Sequence, residues 1–132
     1  MKTGPDLPGR EPDLIFLSTE NASRNRHTYI EGPGDLVVEI VSLDSRKRDR
    51  ADKYYEYEQG GVQEYWLIDP LRSRAEFHVL DADGKYELQT LNEQGFYVSK
   101  IIPGLKIKPT WLWMLPLPSL RATLKEAGIL DL

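Results

Sequence analysis

A carboxylate, Glu39, interrupts the apolar run Leu36–Val41, and a lysine, Lys53, follows in a charged segment further along the chain. The run is rich in β-branched residues, which predicts a strand buried on both faces. Ions in such a core need partners, because an uncompensated buried charge is costly. A carboxylate that holds a divalent cation, beside an ammonium group that orients or deprotonates water, could hydrolyse a phosphodiester. The two residues therefore indicate either a hydrolytic site or a buried structural ion pair.

The elements predicted around these two residues bring them to the same level. A helix should begin near Asp44 or Ser45, either of which can cap it, and end at Gly60-Gly61. The next strand is Gln63–Ile68, so the unit is strand, helix and parallel strand with a right-handed crossover. The carboxylate lies about 10 Å before the strand end, at roughly 3.3 Å per residue. The lysine lies about 12 Å back along the helix, at roughly 1.5 Å per residue.

Strand alternation limits which other acid could share an ion with Glu39. Asp35 is on the same face but lies about 13 Å away at roughly 3.3 Å per residue, which is too far. Asp13, at the start of the predicted strand Asp13–Ser18, is the better partner, and the backbone carbonyl of Ile40 could add a third oxygen. Such a hard oxygen site suits Mg²⁺, with Mn²⁺ as the alternative ion.

Basic residues cluster where the predicted helix begins, although the whole chain has a net charge of −4. Residues 45–53 contain five cations and two anions, a local net charge of +3. Cations at a helix start oppose the helix dipole, at a cost of roughly a few tenths of a kcal/mol each. Contact with phosphate would explain that cost and predicts nucleic-acid binding; a solvated basic helix face is the alternative. The candidates are Arg46, Lys47, Arg48 and Arg50.

The rest of the sequence predicts an α/β or α+β domain with a mixed sheet. Two strand segments, Arg74–Leu80 and Lys85–Leu91, flank the turn Asp81-Ala82-Asp83-Gly84 and form a hairpin. Gly95–Ser99 and Leu105–Ile107 are expected to be short edge strands. The sheet should therefore be parallel at its centre and antiparallel after Pro70.

Length and composition predict one domain over residues 1–132. Residues 1–11 are rich in proline and glycine and are expected to be extended or disordered, and residues 116–132 to form a helical tail. The absence of cysteine excludes thiolate metal sites and disulfides. No run is apolar and long enough to span a membrane, and no signal peptide is recognisable, so a cytoplasmic protein is expected.

Four features together resemble one nuclease family: Pro12-Asp13, the segment DLVVEIVS at 35–42, a following helix with a lysine, and GVQEYWLIDP at 61–70. They are similar to the Uma-type restriction endonucleases of the PD-(D/E)XK superfamily, from about Pro12 to Trp113. The resemblance implies a restriction-endonuclease-like sheet around a central βαβ unit flanked by helices. It also implies Mg²⁺-dependent cleavage of DNA.

Carried over residue by residue, the resemblance makes Asp13 the PD aspartate and Glu39 the acid of the second motif. The superfamily's lysine position falls on Val41, and Lys53 on the following helix takes its place. Asp35 also matches a recurring family aspartate. Family members usually have a longer segment before the PD strand. The resemblance therefore leaves two interpretations, a shortened copy or a sheet edge that a neighbouring subunit covers, as in a homodimer, and it implies that activity is reduced or absent.

Three hypotheses therefore follow from the sequence. The chain is a metal-dependent DNA endonuclease, a non-catalytic binding or assembly module with the same fold, or a structural α/β protein with a buried Glu39–Lys53 pair.

Overall fold

The computed structural model describes residues 1–44 and 46–131 and contains a five-stranded mixed sheet. Its strands lie side by side in chain order, with the second and third parallel and the other neighbours antiparallel, which confirms a sheet that is parallel at its centre and antiparallel after Pro70. The predicted edge strands Gly95–Ser99 and Leu105–Ile107 do not join this sheet in the described residues, because they pair with each other. The strands are β1 (Leu14–Phe16), β2 (Leu36–Ile40), β3 (Glu64–Asp69), β4 (Arg74–Leu80) and β5 (Tyr86–Leu88).

The helix α1 (Lys47–Gly60) connects β2 to β3 and completes the predicted βαβ unit. It ends at Gly61, whose φ of 83° lies in the left-handed region that glycine adopts without steric cost. Its start follows Arg46, which makes no capping hydrogen bond through its side chain. Of the two predicted caps, Asp44 lies before the observed start and Ser45 lies outside the described residues.

The two faces of the sheet pack against different partners, because successive strand residues point to opposite sides. On the α1 face, Val37, Tyr57, Val62 and Tyr65 are fully buried. The opposite face packs against the segment that carries the short antiparallel pair β6 (Tyr97–Val98) and β7 (Lys106–Ile107). Its buried core residues are Leu36, Val38, Trp66, Ile68, Phe77 and Tyr97.

The terminal segments are irregular apart from one short helix. Residues 1–11 form a loop in which the backbones of Met1 and Arg10 bond to each other, and the Arg10 guanidinium binds Glu56 of α1 at 2.6 Å. Near the other end, a 3₁₀ turn (Pro109–Leu112) precedes the helix α2 (Leu120–Glu126). No helix in the described part of the chain is long and apolar enough to cross a bilayer.

Candidate active site

Glu39 and Lys53 meet between β2 and α1, as the strand and helix spacing predicts. Glu39 is buried, with 6% of its surface exposed, and its Oε2 accepts a hydrogen bond from Lys53 Nζ at 3.1 Å. Its Oε1 accepts a bond from the Tyr57 hydroxyl at 2.6 Å. Lys53 and Tyr57 are four residues apart on α1 and so share one face of the helix. One helix face therefore holds both oxygens of the carboxylate.

The charge state of Lys53 follows from its two acidic neighbours. Burial lowers the pKa of Lys53, but its hydrogen bond to Glu39 and the charges of Glu39 and Asp49 outweigh burial and raise it. Asp49 Oδ2 lies 3.4 Å from the ammonium group. Lys53 is therefore a cation at neutral pH, which suits it to orient a water molecule or a phosphate and not to accept a proton.

Tyr57 is a permanent hydrogen-bond donor to Glu39. Its ring is fully buried, and both burial and the bond to the carboxylate raise the pKa of the phenol. The hydroxyl consequently keeps its proton at physiological pH. Tyr57 fixes the orientation of Glu39 without adding charge to the site.

Asp13 reaches the same end of β2 from the neighbouring strand. Its Oδ2 accepts a hydrogen bond of 2.7 Å from the backbone N–H of Ile40. Leu14 pairs with Val38, so the antiparallel register, continued by one residue, places Asp13 opposite Glu39. The side chain is exposed. Asp13 therefore binds the residue that follows Glu39 on β2, but it does not line the pocket that contains Glu39 and Lys53.

The donors at this end of β2 are suited to a hard cation with an open coordination shell. A small pocket there is lined by the carboxylates of Glu39 and Asp49 together with Lys53 and Arg50, and it contains no imidazole. Within residues 1–44 and 46–131, no three or more acidic, histidine or cysteine side chains cluster as a metal cage. Mg²⁺ commonly binds through one or two carboxylates and completes its shell with water or substrate oxygens. The residues present fit that mode and do not form a closed all-protein site.

The carboxylate of Asp35 binds residues outside the candidate site. Its carboxylate accepts hydrogen bonds from the backbone N–H of Ser18 and the amide of Asn21, both at 2.7 Å. These bonds fasten the 3₁₀ turn Thr19–Arg24 to the start of β2. The buried Asp35 therefore has a structural role, in agreement with the distance that separates it from Glu39 along the strand.

The four candidate basic residues divide into two pairs. Arg50 lines the pocket around Glu39, and Lys47 joins Arg50 in the adjoining concavity. Arg46 and Arg48 are exposed and lie outside these two concavities. Lys47 and Arg50 are three residues apart on α1 and therefore lie on the same side of the helix, which explains why these two residues line the concavities.

Sequence reasoning missed several residues that surround the site. Asp49 and Tyr57 lie four residues before and after Lys53, a helical spacing that could have identified them. Arg72 and Arg74 approach from the turn between β3 and β4, and no local pattern signals that approach. Glu64 is a further buried carboxylate that the sequence did not single out; it lies outside this group, on the opposite side of the sheet, beside Trp66 and Tyr97.

The mixed sheet with a βαβ unit and a carboxylate–lysine pair at the end of its parallel strand defines a nuclease-like fold. A solved structure described as a "putative nuclease belonging to DUF820" from Anabaena variabilis has this fold, with a TM-score of 0.60 and 19% sequence identity. The match covers 79% of this chain and 59% of that one, so the chain spans less than two thirds of its structural relative.

The chain belongs to the Uma2 family, described as "Putative restriction endonuclease", whose sequence pattern it matches over residues 2–110. This match confirms the resemblance found in the sequence and supports a nuclease-like function. No curated protein matches the chain.

Proposed function

We propose that the chain is a metal-dependent endonuclease domain that hydrolyses phosphodiester bonds of DNA, with Mg²⁺ as its ion. The observation that supports this proposal best is the contact between Glu39 and Lys53 near the end of β2, where Asp13 also binds the backbone N–H of Ile40, in a member of the Uma2 family. In a sheet with parallel strands, ligands commonly bind at the carboxyl ends of those strands.

Each side chain has a separate task in this proposal. Glu39 and Asp13 would hold the ion, with the Ile40 carbonyl as the predicted third donor. When bound, Mg²⁺ supplies an activated water and neutralises charge that develops on the phosphate. Lys53 contributes a second positive charge beside Glu39, and its raised pKa keeps that charge in place at neutral pH. Tyr57 holds the carboxylate in one orientation.

The basic residues at the start of α1 would contact the DNA backbone. Lys47 and Arg50 face the concavities next to Glu39, whereas Arg46 and Arg48 would reach phosphates further away. Contacts of this kind position the duplex without reading its sequence. They also make affinity strongly dependent on salt, because each neutralised phosphate releases counterions.

Plasmid nicking and Mg²⁺ calorimetry test the proposal on matched variants. Glu39→Gln and Lys53→Met should each reduce Mg²⁺-dependent nicking about 100-fold or more, since each removes charge that acts in the transition state. Glu39→Gln should also weaken Mg²⁺ binding. The exposed residues Glu87 and Lys125 provide the controls Glu87→Gln and Lys125→Met, which should nick like the wild type. Full nicking by folded Glu39→Gln protein would refute the mechanism.

A non-catalytic module with the same fold is the alternative that one observation favours. Both oxygens of Glu39 already accept hydrogen bonds from protein donors, as a purely structural carboxylate would. This alternative predicts DNA or protein binding without Mg²⁺ affinity and without nicking. A folded wild-type protein that binds DNA but shows neither Mg²⁺ affinity nor nicking in the assays above would support this alternative.

Self-association belongs to the same proposal. Among the described residues, β1 pairs with β2 alone and so lies at one edge of the sheet, and an edge without a second partner can bind a second copy. Cutting both strands of a duplex requires two active sites, so a homodimer would couple assembly to cleavage. Sedimentation of the purified chain tests this part, and a monomer at all concentrations would exclude it.

A further inference from the structure

The turn between β3 and β4 brings two arginines, Arg72 and Arg74, to the start of α1. There they line a concavity together with Lys47 and Arg50. A second concavity lies between Arg50 and Arg72, and Arg50 also lines the pocket around Glu39. These three hollows share Arg50 as a lining residue and together make up a concave region that extends from Glu39 to the turn at residues 70–74. We call it the arginine groove.

The arginine groove carries an excess of positive charge. Arg72 pairs with Asp69 at 3.0 Å and Arg74 with Glu76 at 3.1 Å, so these two charges are balanced locally. Lys47 and Arg50 form no ion pair with any carboxylate in residues 1–44 and 46–131. Lys47 and Arg50 therefore face a shared hollow without an ion pair. Over the three hollows together, five cations stand against four carboxylates, and such an excess is expected where an anion binds.

Arg50 carries a more specific signal. Its Nε atom is buried and has no hydrogen-bond partner in the described part of the chain. A buried donor without a partner is uncommon in folded proteins and costs about 1–3 kcal/mol. An acceptor oxygen supplied by a ligand in the groove would remove that cost.

Asp69 fixes the position of the Arg72 side chain at the hollow. The buried Asp69 accepts the backbone N–H of Arg72 at 3.1 Å and one Nη of its guanidinium at 3.0 Å. Burial alone would raise the pKa of Asp69, but the bonds from Arg72 outweigh burial and lower it. The remaining N–H groups of Arg72 stay available, since its side chain is 65% exposed and a guanidinium has five donors. Phosphate accepts such a fork of donors in a bidentate geometry.

We propose that Arg50 and Arg72, with Lys47 and Arg74 beside them, bind a backbone phosphate of DNA adjacent to the phosphate that is cleaved. This inference rests on the proposed endonuclease function and adds the side chains that hold the substrate in register. The groove begins at the Glu39 pocket, so a strand that follows it passes the candidate active site. The β3–β4 turn is thereby a substrate-positioning element.

Fluorescence anisotropy of a short labelled duplex tests the inference without any cleavage, in EDTA, as KCl is raised from about 50 to 200 mM. Arg72→Gln and Arg50→Gln should each weaken binding about three- to tenfold and reduce the slope of log Kd against log salt by about 1. Because both arginines are assigned to the same phosphate, the double variant should reduce the slope by no more than about 1 in total. Arg121 is an exposed arginine of α2 and provides the control Arg121→Gln, which should match the wild type.

The outcomes of these experiments distinguish a failure of the arginine groove from a failure of the proposed endonuclease function. A wild type that does not bind DNA at low salt would refute both. A wild type that binds and nicks, while Arg72→Gln behaves like Arg121→Gln, would refute the arginine groove alone. The exposed Arg72 is the decisive position if Arg50→Gln fails to fold. Calorimetry with inorganic phosphate provides a second arm: a site that binds phosphate, with unchanged DNA affinity in Arg72→Gln, would overturn the assignment to DNA.

Discussion

Replacing the buried Glu64 by glutamine should strongly destabilise the fold. Glu64 is fully buried at the start of β3 and has no cationic side chain within 4 Å among the described residues. Five donors surround its carboxylate. Oε1 accepts from Trp66 Nε1 and the Tyr97 hydroxyl, and Oε2 accepts from the Ser99 hydroxyl and the backbone N–H groups of Lys100 and Ile101.

The size of the loss in the free energy of unfolding follows from the difference between an amide and a carboxylate. Glutamine keeps one acceptor oxygen and places an NH₂ group, itself a donor, against the other set of donors. Depending on its orientation, Glu64→Gln therefore loses either two or three bonds. Hydrogen bonds to a charged group contribute about 1.5–3 kcal/mol each, so two lost bonds amount to about 3–6 kcal/mol. Removal of a buried charge returns part of this, which leaves a predicted loss of about 3–4 kcal/mol.

Urea unfolding, followed by tryptophan fluorescence, measures this change directly, because Trp66 donates to the same carboxylate. A loss of about 3–4 kcal/mol would be a large fraction of the roughly 5–15 kcal/mol typical of a domain. The control Glu87→Gln changes the same atoms at an exposed position of β5 and should stay within about 0.5 kcal/mol. If Glu64→Gln were as stable as Glu87→Gln, the hydrogen-bond argument would be wrong.

Three further predictions concern the site and its surroundings. Tyr57→Phe should lower the free energy of unfolding by about 1–3 kcal/mol and should reduce nicking, because one oxygen of the buried Glu39 loses its donor. A urea midpoint and a nicking rate equal to those of the wild type would contradict this. Asp13→Asn should reduce Mg²⁺-dependent nicking while shifting the urea midpoint little, since Asp13 is exposed; wild-type nicking would exclude it as a ligand. Burial lowers the pKa of His78 below 6.5, so the unfolded chain binds a proton at this residue more readily than the folded chain, and acidification through pH 6.5 should destabilise the wild type. The part of this loss that His78 causes should be absent in His78→Phe. Equal losses of stability in the two proteins, measured by urea titration at neutral and acidic pH, would refute this prediction.

The meeting of Glu39 and Lys53 could be predicted because it depends on local geometry alone. A strand and the helix that follows it in a βαβ unit are antiparallel neighbours, so their fixed rises per residue determine which positions lie at one level. The contact of Asp13 with the end of β2 required one further assumption, that the early strand pairs beside it. The register of Leu14 with Val38 agrees with that assumption.

The arginine groove could not be predicted in the same way. Arg72 lies in a turn whose direction depends on Ser73, a non-glycine residue at a φ of 51°, and on the capping carboxylate of Asp69. Neither feature follows from residue type alone, since serine rarely adopts that conformation. The proximity of the turn to Arg50 also depends on how α1 packs across the sheet, which is a tertiary property.

Two buried carboxylates in adjacent parallel strands show what separates a structural acid from a candidate functional one. Glu64 accepts five hydrogen bonds from its own fold, which leaves it no capacity for a ligand and no route to solvent. Glu39 accepts two, from Lys53 and Tyr57, although a carboxylate offers about four lone-pair positions. Glu39 also lines one of the hollows of the arginine groove. In the sequence both are a glutamate within an apolar strand; the number of donors around each one, and the charge beside it, assign the structural role to Glu64 and favour Glu39 as the residue that acts on a substrate.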